Sequence, residues 1–154
     1  MLKDLELTIE NRINSAIDFL IENSFTNINR KLISLEIKKN DSYFMATINN
    51  KILVSTDCSN LNKKALIGVL AHELVHMSEY QKSPIKDLLR RFLYNIPFYR
   101  TKLERNIDLE VIQRGLGEYL LEFLEYHDKH YKKYNKTDGL TKKEVTKLLQ
   151  TIIV

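Results

Sequence analysis

Leu66-Ile67-Gly68-Val69-Leu70-Ala71-His72-Glu73-Leu74-Val75-His76 is the stretch on which the reading of this chain turns. Leu66, Ile67, Leu70, Ala71, Leu74 and Val75 recur at helical spacing and cover a broad surface, which predicts a central, well-buried helix. Set into it is His72-Glu73-Leu74-Val75-His76, an HExxH pattern. Two histidines four residues apart project from one face about one turn apart, so both imidazoles can reach a single cation. Glu73 lies beside them, where its carboxylate can meet a water at that cation without displacing it. A metal there lowers the pKa of the water and polarises a carbonyl; the glutamate takes the proton and passes it to a leaving amine. The competing reading is two surface histidines flanking a solvated glutamate, and the apolar helix around the motif argues against it.

Upstream, Leu5, Ile9, Ile13, Ala16, Ile17, Leu20 and Ile21 predict an amphipathic helix from Leu5 to Phe25. Leu32, Ile33, Leu35 and Ile37 suggest a strand. Tyr43 to Ile48 and Lys51 to Thr56 are two further β-rich runs, joined by Asn49-Asn50 as a hairpin. Asn60 is a good N-cap type for the HExxH helix, which extends to Ser83-Pro84. That pair opens another helix, to about Asn95, and Pro97 ends it. Thr101-Lys102-Leu103-Glu104 has the form of a capping box, with helical pattern running on to Arg114. Gly115 and Gly117 bend or restart the helix, which continues to about Lys133. Asn135 to Gly139 reads as a linker, and Thr141 to Glu144 repeats the capping-box form before a last helix ending near Ile153. The fold class expected is α+β. A small antiparallel or mixed sheet packs on the HExxH helix and on the glutamate helix, and the C-terminal half is mostly helical. Residues 1–134 form the main domain and 135–154 a helical tail.

With 154 residues, 44% of them hydrophobic and 29% charged, the chain is expected to be one soluble globular domain. No apolar run approaches the roughly 20 residues of a membrane span. Acids among the first residues, Met1-Leu2-Lys3-Asp4-Leu5-Glu6, are unlike a signal peptide and make the cytoplasm the expected location. Cys58 is the single cysteine, which excludes an intrachain disulfide. It reads as a buried structural thiol rather than a ligand that silences a metal. The net charge of +4 is mild, and its densest stretch, Lys129 to Lys136, reads as a solvated helix face. No docking motif for nucleic acid accompanies it.

A catalytic zinc takes three protein ligands and leaves a fourth position to water. Glu104 and Asp108, one turn apart on the downstream helix, are the candidates for the third. Glu104 could instead be the N3 residue of the Thr101 capping box, and Asp108 could be the ligand in its place. No histidine follows His76 until His127, which argues against a three-histidine site.

At this point the sequence resembles the gluzincin metallopeptidases, in which HExxH is followed by a glutamate helix carrying the third zinc ligand. The likeness is closest to the minigluzincins, small soluble peptidases that look like the catalytic cores of integral membrane metallopeptidases, and it covers roughly Leu32 to Phe123. The resemblance implies a minimal zincin-like fold and a zinc ion held by His72, His76 and Glu104. It also implies Glu73 as catalytic base and Asp108 as the carboxylate steadying a zinc-binding histidine. The substrate implied is a peptide or unfolded protein, paired in extended form with a strand along the cleft, here Lys51 to Thr56. Some members are kept latent by a terminal segment, which makes a zinc-binding module blocked by its own tail or by self-association the alternative to an active enzyme. A donor for the tetrahedral oxyanion is also wanted, and His127, His130, Tyr99 and Tyr126 are the candidates. The aromatic residues at 92, 94, 98, 99, 119, 123 and 126 could line a substrate pocket, but core packing of two amphipathic helices explains most of them more simply.

Overall fold

The computed structural model describes residues 1–40, 42–130 and 138–152. Its axis is helix α2, Lys63–Lys82, in which twelve residues from Ala65 to Ser78 are buried. The helix starts two residues later than Asn60 suggests. Thr56–Asn60 forms a 3-10 turn, and Asn62 is the cap, its Oδ1 accepting the Ala65 N–H at 2.8 Å. Helix α1, Leu2–Asn23, lays Ile9, Ile13, Ile17 and Leu20 against the same core.

Strands β1, Ser34–Lys38, β2, Met45–Ile48, and β3, Lys51–Ser55, form a mixed sheet in the order β1-β3-β2. The β2–β3 hairpin is antiparallel and turns through Asn49-Asn50 as expected, Asn49 taking a φ of 57° that asparagine tolerates. The β1–β3 pair is parallel, so the sheet is not purely antiparallel. This topology corrects one expectation. The run from Lys51 to Thr56 cannot offer an edge to a substrate, because β3 is hydrogen-bonded on both sides. Its continuous apolar stretch Ile52-Leu53-Val54 suits a central strand, with Ile52 and Val54 fully buried. The edge strands are β1 and β2, and β2 packs beside α2.

Helix α3, Pro84–Leu93, follows α2 directly, and α4 spans Pro97–Gln113. Pro97 therefore ends nothing by itself. It stands at the first turn of α4, where its missing N–H is no loss. Thr101 and Glu104 consequently lie inside a helix already under way, and the capping box expected there does not form. The second one does: Thr141 and Glu144 exchange hydrogen bonds of 2.8 and 3.3 Å ahead of α6, Lys142–Ile152. Gly115, with φ of 78°, closes α4, the Gly115 and Leu116 N–H groups bonding back to Ile112 and Val111.

Helix α5, Gly117–His130, crosses α2 closely. Phe123, Tyr119 and Tyr126 pack on the core here as expected, but Phe92 and Phe98 do not; both are exposed. Leu140 and Val145 join the common core, so the C-terminal segment is built into the fold where it is described. The boundary drawn at 134/135 and most of the basic stretch from Lys129 lie outside the described residues. No helix among the described residues is long and apolar enough to cross a membrane.

The α2–α5 crossing depends on Gly68, because a Cβ there would stand 2.0 Å from the Tyr119 carbonyl oxygen. Gly68→Ala is therefore expected to lower stability by about 1–3 kcal/mol despite its better helix propensity. Urea unfolding of the two proteins measures this directly, and an unchanged or raised midpoint would contradict the crossing.

Candidate metal centre

Because α2 is buried on most sides, its His72, Glu73 and His76 need polar partners, and two neighbouring elements provide them. From α4 come Glu104 and Asp108, both buried and one turn apart. From β2 comes Thr47. His72 stands between the two acids, its Nδ1–H donating to Asp108 Oδ1 at 2.8 Å while Nε2 lies 2.9 Å from Glu104 Oε2. A neutral His72 thus keeps its proton on Nδ1, and its Nε2 lone pair faces a carboxylate oxygen and, at 3.3 Å, His76 Nε2. His76 Nε2 is in turn 3.5 Å from Glu104 Oε1.

These separations suit a cation. Bonds of about 2.0–2.1 Å from a tetrahedral metal place neighbouring ligand atoms about 3.3 Å apart. One ligand atom from each of His72, His76 and Glu104 lies within 4.8 Å of the others, and the three residues lie close enough to hold a metal ion. Apart from a cation, the group needs an extra proton, since lone pairs otherwise meet a carboxylate. The electrostatics reflect this. Burial disfavours a charged ring at His72, but hydrogen bonds and charges of Asp108 and Glu104 outweigh it and hold the imidazole pKa well above the usual value. Burial likewise works against an ionised Glu104, yet His72 and His76 carry its carboxyl far below the ordinary range.

Glu73 is aimed by Thr47, whose hydroxyl donates to Glu73 Oε2 at 2.8 Å. Asp108 is fixed from its other side by the Leu140 N–H, which donates to Oδ2 at 2.7 Å. Only glycine fits before Leu140: a Cβ on Gly139 would lie 2.1 Å from the same oxygen. His72, Glu73, His76, Glu104 and Asp108 therefore meet in one cleft of about 920 Å³, walled by β2, α2, α3, α4, α5 and the Asp138-Gly139 pair.

Of the donors considered for an oxyanion, His127 lines this cleft, whereas Tyr99, Tyr126 and His130 are not in its wall. Burial lowers the His127 pKa and favours the neutral ring. Two residues of the site were not singled out from sequence for a contact with its polar groups, though Tyr94 stood among the aromatics that could line a pocket. Thr47 is one; a single threonine on a short strand gives no local sign that it faces a helix 26 positions away. Tyr94 is the other. It lines the cleft and hydrogen-bonds Glu104, and burial first, then the Glu104 charge, raises its pKa. Cys58 lies outside the cluster, with its Sγ–H donating to the Phe44 carbonyl, and burial pushes its pKa up to about 12.

No protein-family model, curated protein or solved structure matches the chain. The geometry of the site is thus the ground for any functional reading.

Two outcomes follow from the Asp108–His72 link. Asp108→Ala is expected to weaken divalent-metal affinity by about 10–100-fold, measured by competition with a chromophoric chelator; unchanged affinity would show that the link plays no part. The second concerns pH. A raised His72 pKa means that its ion pairs stabilise the metal-free protein fully below about pH 6.5, and are lost as pH rises through the higher folded value. Metal binding strengthens over the same window, because the competing proton leaves. The gain in Tm on adding metal is therefore expected to grow as pH is raised from about 6.5; a gain that shrinks would contradict this assignment.

Proposed function

We propose that the chain is a zinc metallopeptidase of the HExxH, gluzincin type, hydrolysing peptide bonds in extended or unfolded polypeptide. The observation that carries the reading is the convergence of His72, His76 and Glu104 on one point beside Glu73. Two imidazoles and a carboxylate are the ligand set that suits zinc with a position left open. A zinc ion held there would supply Lewis acidity, acidifying a water and polarising a carbonyl.

The remaining work falls to the chain's own side chains. Glu73, steadied by Thr47, accepts the proton of the attacking water and returns it to the leaving nitrogen. Asp108 holds the His72 ring in the tautomer whose Nε2 faces the site. Tyr94 and His127, on the cleft wall, are the groups available to donate to a developing oxyanion. Strand β2 pairs only with β3 among the described residues and lines the cleft, so its outer edge can receive an extended substrate by backbone hydrogen bonds.

A second reading, a zinc-binding module kept latent by its own tail, has one observation in its favour. Asp138 and Gly139 stand in the cleft wall, with Asp138 2.9 Å from Arg100 and Leu140 tied to Asp108. It differs in one outcome: zinc-loaded native chain leaves casein intact, and Arg100→Ala raises cleavage.

The peptidase reading is tested with casein and zinc-loaded protein. Glu73→Gln is expected to keep its zinc and to lose about 10²–10⁴-fold in cleavage rate. A Glu73→Gln protein that cleaves as fast as the native one would sink the reading.

A further inference from the structure

Helix α3 is amphipathic in the reverse of the usual sense. In a surface helix of a globular protein the apolar stripe faces the core. Here the polar residues face inward, since Asp87, Arg90, Arg91 and Tyr94 all line the cleft. They also hold the helix down: Arg90 pairs with Glu79 of α2, and Arg91 donates to Asn49 Oδ1 in the hairpin turn at 2.6 Å. Ile85, Leu88, Leu89 and Phe92, at the i, i+3, i+4, i+7 spacing of one face, turn outward with exposures of 84%, 70%, 60% and 74%. Ile96 and Phe98, just beyond, are exposed as well. A run of this kind is a contact surface for something outside the fold.

The charge around it says what. Residues 82–102 contain six basic residues (Lys82, Lys86, Arg90, Arg91, Arg100 and Lys102) and one acid, Asp87. Arg90, Arg91 and Arg100 are paired with Glu79, Asp87 and Asp138, which leaves Lys82, Lys86 and Lys102 as the unpaired positive charge of this segment. Lys82, Lys86 and Lys102 are exposed and make no ion pair among the described residues. Two copies meeting face to face about a two-fold axis would set these unpaired lysines against those of the other copy, which disfavours self-association through this face. A nucleic acid would match the charge but leave the apolar stripe in water. An anionic lipid surface matches both, because apolar side chains enter the headgroup boundary while lysines meet the phosphates.

We propose that α3 is a membrane-docking element, its Ile85–Phe92 stripe entering the interface of an anionic bilayer and its flanking lysines held by the headgroups. Docking through this face leaves the opposite face of α3 in the cleft wall, so the cleft lies beside the bilayer. If the peptidase reading holds, its substrates are polypeptide segments that emerge at a membrane surface; the docking itself does not rest on that reading.

The test is flotation of the full-length chain with vesicles of phosphatidylcholine alone and with about 30% phosphatidylserine added. The chain is expected to float with the anionic vesicles, to be released by high salt, and to stay behind with phosphatidylcholine alone. Leu88→Ser with Phe92→Ser is expected to weaken partitioning by about tenfold or more. Lys82→Gln and Lys86→Gln are each expected to weaken it by about fivefold. These side chains touch little of the fold, so the circular dichroism spectrum and urea midpoint should stay at native values and certify that the variants are folded. Absence of flotation would overturn the proposal, as would flotation indifferent to Leu88→Ser with Phe92→Ser. So would a solution dimer that the same pair of substitutions converts to monomer. None of these readouts requires zinc or cleavage, so failure here leaves the peptidase reading standing, and loss of that reading leaves the docking.

Discussion

A helix buried along most of its length cannot carry two imidazoles and a carboxylate unless the protein supplies partners for them, because an unpaired buried polar group costs about 1–3 kcal/mol and a buried charge more. That constraint shapes the fold around α2. One side is closed by α1 and α5, the latter approaching so closely that position 68 admits only glycine. The other side faces β2 and α4, which bring Thr47, Glu104 and Asp108 to the three polar residues. The dependence continues outward. Asp108 takes the Leu140 N–H, Leu140 and Val145 join the core, and Glu144 both caps α6 and pairs with Arg105 on α4. The C-terminal helix is thereby anchored to the element that bears the candidate ligands.

Helix α3 obeys the same rule in reverse. Its arginines are satisfied inward, against Glu79 and Asn49, and Lys86 and its apolar side chains are left to the outside. An enclosed polar cleft and an exposed apolar face are thus two sides of one short helix. The cleft wall and the outer contact surface cannot be altered wholly independently, because α3 walls the same cleft that holds the candidate metal centre.

Much of this was legible because the strongest signals were periodic. The apolar spacing of Leu66 to Val75 announced a buried helix, and Asn49-Asn50 announced the hairpin. The four-residue spacing of His72 and His76 places both rings on one face in any helix. Legibility failed where one local pattern serves two structures. Thr101-x-x-Glu104 and Thr141-x-x-Glu144 have the same form, yet only the second caps a helix, since Pro97 had already started α4. The hairpin gave two strands without saying which would be central; that was decided by β1 pairing in parallel with β3, a contact between distant segments. Thr47 and Tyr94 reach the site through tertiary packing alone. The residues of the α3 stripe have the spacing of core residues, and nothing in the sequence tells which way such a face will turn.

The central claim is that His72, His76 and Glu104 form one metal centre, and metal content of the purified chain tests it most directly. After refilling with zinc and removal of excess, native protein is expected to hold near one zinc per chain, and Glu104→Ala, folded by circular dichroism, to lose most of it. Native protein that binds no zinc, or Glu104→Ala protein that retains it in full, would contradict the claim and leave the cluster as a proton-bridged arrangement of a buried helix.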